Sequence, residues 1–594
     1  MKMIKYIFGI LFAALMLINV GCDDNAFLEE KPSTFYTIDN IFSTSEQVDQ
    51  LLIAIYAHLR PLKVNSSENL YIHNFRGRGT DMYDVGYLYS DQTFSNYSTI
   101  NTVHETFYEV YRTWYQVVGM SNLALYASEL PEITWASSAD KAYAIAQAKF
   151  FRAFAYKILG ELFGGVPIVT EITKTPRYDY ERSTRVETYQ FAIDDLLSII
   201  NDLPETTPAG GRIVRAAAQH NLSELYLAMG TQLADDGRTN EAQAAFASSI
   251  NYANQVIDGG IYELIKARYG TRKDEQSFFF TVYQNGNASL PVDTVQAIPN
   301  YYWDMFQEGN VNYQAGNTEC IWSTQINYNA YKAEDGQSRL NYPRVFGPIF
   351  RDASTTGMTG TLEDVGGRGI GSVIITMYAR DIIYEGVFAD DMRNSESVFR
   401  RRFKGNINTS PYYLQVVPWD VMYESADPVT NQNIQSEIWP VSCKIATDKF
   451  TGLADGEVMS HLFREDYMIR LPETILLRAE AKQRSGDKTG AAADVNLLRD
   501  RAQCAYRVTA ADMDDKFDMI LDERARELVY EEWRWNTLLR MGGTIAVDRI
   551  RKYAFWPFTA ATLTFNYNLW PIPQTVIDTN SDVVLPQNPG WENR

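Results

Sequence analysis

The sequence predicts a mainly α fold, in which tetratricopeptide-like helix pairs are joined to a second, loop-rich lobe. Three observations carry this. Apolar residues recur at helical spacing over residues 140–260 and again over 467–504. Small residues, Ala216 to Ala218 and Ala242 to Ala245, stand where paired helices of repeat length must approach closely. Residues 261–462 give up that periodicity for Gly clusters, isolated aromatics and short strand-like runs.

In chain order, Met1 to Gly21 is a leader. Lys2 and Lys5 supply the charged start, Ile7 to Ile18 the apolar run, and Val20-Gly21-Cys22 a small-residue end before a thiol. The pattern predicts cleavage before Cys22 and lipidation of that residue, although Asn19 stands where an apolar residue is usual. The apolar run is shorter than the ~20 residues a spanning helix needs, and Asp23-Asp24 follows at once. Residues 22–44 read as a lipidated tether, 45–260 as the region of helix pairs, and 261–594 as a loop-rich lobe, a last helix pair and an extended tail.

Within 45–260, Leu51, Leu52, Ile55 and Leu59 share one face of a helix over Gln47 to Leu59, and Glu105 to Tyr126 forms a second helix. Between them, His73 to Asn101 is too rich in Gly and Asp for one regular element. Ala146, Phe150, Phe154, Ile158 and Leu162 mark a helix that stops at Gly164-Gly165 before Pro167. Further helices are expected over Thr188 to Leu203, Val214 to Met229 with Gly230 as the stop, and Asn240 to Ile257. Beyond residue 260, Phe278 to Tyr283 and Cys320 to Ile326 read as strands and Gly357 to Gly371 as a long flexible loop. Helices return over Tyr467 to Ser485, after Gly486-Asp487 up to Cys504, and in one longer run from Phe517 to Met541. Trp556 to Arg594 reads as an extended, Pro-rich tail.

The 594 residues exceed a single-core length, and 45% apolar with 22% charged residues is an ordinary globular balance. A formal charge of −20 argues against a nucleic-acid partner. Cys320, Cys443 and Cys504 are scattered without C-x-x-C spacing, so neither a disulfide framework nor a zinc site is encoded. Aromatic residues, with 38 Tyr, 29 Phe and 11 Trp, offer flat faces with polar edges that suit sugar rings, though most belong in a core.

The best carboxylate pair is Glu523 with Glu527, i and i+4 on one helix face. Arg524, Arg526 and Arg534 beside them predict a structural ion network instead. His104-Glu105 lacks the second histidine of H-E-x-x-H, no nucleophile elbow or Walker loop occurs, and the Gly366 to Gly371 cluster lacks the strand–turn–helix context of a phosphate loop. No catalytic and no metal residue is therefore nominated. For ligand binding, Tyr83, Tyr87 and Tyr89, flanked by Arg78 and Asp81, are the first candidates, and Tyr301-Tyr302-Trp303 the second. Both are chosen for aromatic composition and loop position.

Several strings resemble one family, the SusD/RagB-like nutrient-binding lipoproteins of Bacteroidetes. Ala148-Lys149-Phe150-Phe151-Arg152-Ala153-Phe154-Ala155-Tyr156 with Leu162-Phe163-Gly164-Gly165-Val166-Pro167 is similar to its early block. Gly211-Arg212 with Leu225-Tyr226-Leu227 looks like the next helix pair, and Leu477-Arg478-Ala479-Glu480-Ala481 with Asn496 to Ala502 like the later repeat. Glu523 to Leu528 with Trp533-Arg534-Trp535, then Leu569-Trp570-Pro571-Ile572-Pro573 and Gln587-Asn588-Pro589-Gly590, resemble its C-terminal blocks. The resemblance implies a right-handed superhelical scaffold of four tetratricopeptide-like pairs and a SusC-like TonB-dependent outer-membrane transporter as partner. It also implies a lipid anchor at Cys22, with Asp23-Asp24 as surface-export signal, and a glycan ligand, or a peptide in RagB-type members. No cofactor is implied, a structural calcium ion being the one addition left open. The alternatives of another class are a surface glycoside hydrolase and a structural adhesin or pilus subunit.

Overall fold

A computed structural model of the chain describes residues 41–64, 70–86, 94–335, 338–350, 356–423, 438–449, 451, 458–566 and 568–592. Cys22 and its leader lie outside these residues. The first helix, α1 (Ser45–Leu59), starts where Thr44 and Gln47 form a reciprocal capping box, an arrangement worth about 1 kcal/mol. It buries Val48, Leu52, Ile55 and Leu59. After the short α2 (Leu70–Arg76) and strand β1 (Tyr83–Val85) come the long helices α3 (Glu105–Ser128) and α4 (Ser138–Phe163). Ser137 caps α4, and Gly164 ends it with a φ of 76°, a conformation that glycine adopts without a Cβ clash.

Helices α5 (Arg185–Ile199), α6 (Arg215–Asp235) and α7 (Thr239–Ile257) continue the series, each packed on its predecessor. The expected stop at Gly230 is not one: α6 runs through it. A Cβ there would meet the Phe246 ring at 2.6 Å, so this glycine serves the close approach of α6 to α7.

The chain then leaves the helical layer for four two-stranded antiparallel ladders. They pair β2 (Phe278–Tyr283) with β3 (Pro291–Ala297), β4 (Cys320–Thr324) with β8 (Asp466–Arg470), β1 with β5 (Val373–Ile375), and β6 (Phe399–Arg400) with β7 (Val441–Ser442). Short helices α8 (Tyr301–Asp304) and α9 (Tyr328–Ala330) lie between them. The expected flexible loop at Gly357 to Gly371 is instead close-packed backbone in its second half. Residues 362–367 are buried, and a Cβ on Gly369 would collide with the carbonyl oxygens of Pro348 and Gly347.

The helix pair α10 (Leu471–Arg484) and α11 (Lys488–Arg501) returns to the first core, with α10 against α7. One clamp recurs in both halves of the helical layer. Arg152 of α4 pairs with Asp195 of α5 and donates to Asn122 of α3 at 2.8 Å, while Arg478 of α10 pairs with Asp494 of α11 and donates to Asn254 of α7 at 2.9 Å. The expected long helix at 517–541 is two, α12 (Asp518–Leu528) and α13 (Arg534–Arg540). The break carries Tyr530 at a φ of 65°, with Glu531 and Glu532 turned inward onto buried cations.

After α14 (Ile545–Tyr553) the tail expected to be extended carries two short helices, Pro557–Thr562 and α15 (Gln574–Thr579). The Gln587 side chain bonds both backbone groups of Ile572 at 2.8 Å. Asn588 Nδ2 donates to the carbonyls of Phe163 and Trp570, closing the tail onto the end of α4. Among the described residues no helix is long and apolar enough to cross a membrane.

Candidate functional site

Of the residues nominated from sequence, the six that lie among the described residues, Arg78, Asp81, Tyr83, Tyr301, Tyr302 and Trp303, are buried. Arg78 and Asp81 are fully buried, and Tyr83 is 2% exposed. Asp81 receives Arg534 at 2.6 Å and Arg549 at 3.0 Å, and the Tyr83 hydroxyl accepts the Tyr530 N–H. Burial alone would raise the Asp81 carboxyl, but Arg534 and Arg549 outweigh it and hold it below the usual carboxylate range. These three residues pin β1 to the C-terminal helices.

Tyr301, Tyr302 and Trp303 are core as well. The first two hydroxyls donate to the carbonyls of Arg501 and Glu527, and Trp303 stacks on Phe278 at 4.8 Å with Arg272 4.4 Å from its ring centre. Tyr83, Tyr301, Tyr302 and Trp303 are therefore internal packing. Tyr87 and Tyr89 lie outside the described residues.

The carboxylates are equally committed. Glu523 and Glu527 are sealed from solvent, bridged by Arg393 at 2.7 and 2.9 Å; Glu527 also meets Arg470 and Arg501. Burial opposes the Glu527 charge, yet Arg501, Arg470 and Arg393 together hold its carboxyl well below the ordinary value. A glycosidase acid must reach its substrate, and this sealed pair does not. Cys320, Cys443 and Cys504 are buried free thiols, and among the described residues no three His, Cys, Asp or Glu side chains converge on a metal position.

Two surface features among the described residues bear directly on ligand capture. One is a cleft of about 600 Å³ between α3, residues 167–180 and α15, lined by Tyr108, Tyr115, Val169, Ile172 and Val576 among others. Its polar groups are largely spent on the scaffold: the Tyr115 hydroxyl donates to the Pro167 carbonyl and Asn122 Nδ2 to that of Val169. The walls that remain are mostly apolar, a poor match for the dense hydroxyls of a sugar.

The other feature is an aromatic platform on the loop-rich lobe. The β4–β8 ladder runs on into a Leu340–Leu462 bridge, near which Tyr328, Tyr331 and Arg339 gather with His461 and Phe463. Asn327 caps the turn by accepting the Ala330 N–H, and the chain continues as a single π turn at Tyr331–Asp335. Tyr328 and Tyr331 lie near-parallel at 6.2 Å; both are half-buried against Phe463, at 4.7 and 5.1 Å, and Tyr331 touches His461.

The platform carries a cationic rim. Lys332 sits 5.7 Å from the Tyr328 ring centre and Arg339 5.5 Å from that of Tyr331. Burial first, and then the charges of Arg339, Arg344 and Arg368, together push the His461 imidazole down to about 3. His461 is therefore a neutral ring at any physiological pH. Such a surface can stack a ring and hydrogen-bond its edge, and it holds no nucleophile–base pair for a covalent step. Sequence reading missed it, although the Tyr328–Tyr331 spacing with Lys332 next to it was visible.

A family model described as the SusD family matches residues 279–591, and a second, described as starch-binding associating with outer membrane, matches residues 26–227. A SusD-like protein of Bacteroides ovatus is 28% identical over 220 residues, a stretch that covers 37% of this chain and only 39% of that relative. SusD-like protein P2 of Formosa agariphila is 22% identical over 98% of this chain and 99% of its own length.

Among solved structures, a SusD homolog from Bacteroides thetaiotaomicron shares the fold with a TM-score of 0.66 at 16% identity, over 93% of this chain and 98% of that one. A surface glycan-binding protein A from the same organism, in complex with laminarihexaose, aligns with a TM-score of 0.62 at 17% identity, over 92% and 99%. With the first model matching more than half of its length, and the helical scaffold and loop-rich lobe in place, the chain belongs to the SusD family.

Proposed function

We propose that this protein is a lipid-anchored, outer-membrane nutrient-binding protein that captures a glycan without a covalent step and hands it to a SusC-like TonB-dependent transporter. The observation that carries the capture step is the Tyr328–Tyr331–Phe463 platform, two half-buried tyrosine rings packed on Phe463 beside cationic hydrogen-bond donors. A pyranose ring stacks through its C–H face on such a surface while its hydroxyls reach the polar rim. Laminarihexaose bound to a protein of the same fold supports a glycan as the ligand class. The membrane location draws on the family description and on the leader ending at Cys22. The transporter partner draws on the family resemblance.

The test is calorimetric titration of the full chain in detergent with a panel of oligosaccharides and oligopeptides, alongside an assay for released reducing ends. Saccharide binding without turnover is expected. Tyr331→Ala should weaken it about tenfold, equivalent to ~1.4 kcal/mol, with the melting temperature unchanged. Binding of peptides alone, or release of reducing ends, would overturn the proposal. Recovery of a TonB-dependent transporter with the chain from detergent-solubilised outer membranes tests the delivery step.

A further inference from the structure

We infer that the platform is one end of an extended binding path whose other end is a second aromatic cleft, on the helical layer, so that the glycan captured is a chain of several sugar units. This rests on the proposal that the platform binds glycan at all, and it adds the length class of the ligand and the residues that read it.

The cleft encloses about 390 Å³ between the start of α1, residues 135–147 and the loop 207–212. Trp135 and Tyr143 line it, and both are partly exposed. Neither ring is loose. Trp135 packs against the buried cluster of Phe42, Val48, Ala127 and Ile133, and the Tyr143 hydroxyl donates to the Ile213 carbonyl at 3.0 Å. The same cleft holds a fixed polar pair. Both terminal nitrogens of Arg212 donate to Asp49, at 2.8 and 3.0 Å, and one of them also to the Gln147 side chain at 3.2 Å. Even so, the Asp49 side chain is 48% exposed and that of Arg212 24%. A pyranose uses these parts together: its C–H face stacks on a held ring, while neighbouring hydroxyls donate to a carboxylate and accept from a guanidinium.

The second observation is where the cleft lies. Its wall at 207–212 abuts the strand that leads to the platform. A Cβ on Gly211 would meet the Gln325 side chain at 2.8 Å, one on Gly210 would meet the Asn312 amide nitrogen at 2.8 Å, and the Trp322 indole donates to the Gly211 carbonyl at 3.0 Å. Gln325 stands three residues before Tyr328, which is at most about 10 Å of extended chain. Gln314, Gln325 and Asn327 are exposed along this stretch, and Gln325 is braced by mutual amide bonds with Asn312 at 3.0 and 3.1 Å. Amides offer sugar hydroxyls both a donor and an acceptor. A disaccharide can use one aromatic feature; a longer chain can reach both. Its second contact is then intramolecular, so affinity should climb steeply with ligand length.

The experiment is calorimetric titration of the full chain in detergent with the disaccharide, trisaccharide and hexasaccharide of the laminari, malto, cello and xylo series. In at least one series the hexasaccharide should bind about tenfold or more tightly than the disaccharide. Trp135→Ala should erase most of that margin and leave disaccharide affinity unchanged, whereas Tyr331→Ala should weaken both lengths. The long-to-short ratio is blind to a general loss of stability. Asp49→Ala is the reserve should the Trp135 variant not fold, with a fall in the ratio of about threefold expected.

A disaccharide binding as tightly as its hexasaccharide would overturn this inference and leave the glycan-capture reading standing. So would a margin untouched by Trp135→Ala and Asp49→Ala. Failure of all four series to bind would overturn it as well, and the glycan-capture reading falls with it only if no saccharide of the wider panel binds.

Discussion

Asp81 shows how little a residue's sequence neighbours say about its work. It sits among glycines and tyrosines, the setting of a ligand loop, yet its carboxylate is the joint counter-ion of Arg534 and Arg549, more than 450 positions away. Asp81→Ala would leave two guanidiniums buried without that charge, which costs about 3–5 kcal/mol. The expected result is a large fall in melting temperature. A stable variant with altered glycan binding would instead return Asp81 to the ligand site. Tyr301, Tyr302 and Trp303 misled for the same reason: aromatic composition marks cores and ligand surfaces alike, and only long-range packing separates them. Tyr328 and Tyr331 were no less legible as letters. What sequence lacked was the Leu340–Leu462 bridge, near which they meet Phe463 and His461. The Glu523–Glu527 pair was readable as structural from its own helix, but its strongest partners, Arg393, Arg470 and Arg501, come from three other segments.

Among elements, the long helices were legible because burying one face imposes a repeat of 3.6 residues, and their ends carry local signals such as the Thr184–Glu187 capping box and Gly164. Glycine was read wrongly wherever its reason was tertiary. Gly230 admits the Phe246 ring, and the Gly366 to Gly371 run is tight because neighbouring carbonyls leave no room for a Cβ. That second case gives a prediction. Gly369→Ala would force the added methyl into the Pro348 and Gly347 carbonyl oxygens, neither of which can swing aside like a side chain. Destabilisation of about 1–3 kcal/mol is expected, seen as a lower melting temperature. Unchanged stability would show that the loop yields, as sequence alone suggested. The break between α12 and α13 was hidden for a related reason: nothing local announces that Glu531 and Glu532 must turn inward to meet Lys444, Arg470, Arg524 and Arg534.

At the scale of the whole molecule, buried charge sets how stability follows pH, and two groups of carboxyls pull in opposite directions. Burial works against the charged form of Glu480, but Arg540 and Arg484 outweigh it and hold its pKa at about 2. Its contribution is present above its ordinary value of 4.5 and is lost as pH falls from there toward 2. Asp364 and Glu161 behave the other way, raised by burial to about 7, so their contribution is full at low pH and lost as pH rises through 7. The melting temperature should therefore peak at about pH 4 and fall on both sides, which a series of melts from about pH 2.5 to 9 would check. A steady rise to pH 8 would contradict it, and Asp364→Asn should flatten the alkaline limb. The largest-scale feature is the β4–β8 ladder. Trp322 in β4 stands edge-on to Phe150 and Phe154 in the helical core and donates to the Gly211 carbonyl, while the same strand leads within a few residues to Tyr328 and Tyr331. The proposed grip and the frame thus share one strand. A polymer held at the platform and tugged would pull directly on the interior of the frame, so the whole body would move with it.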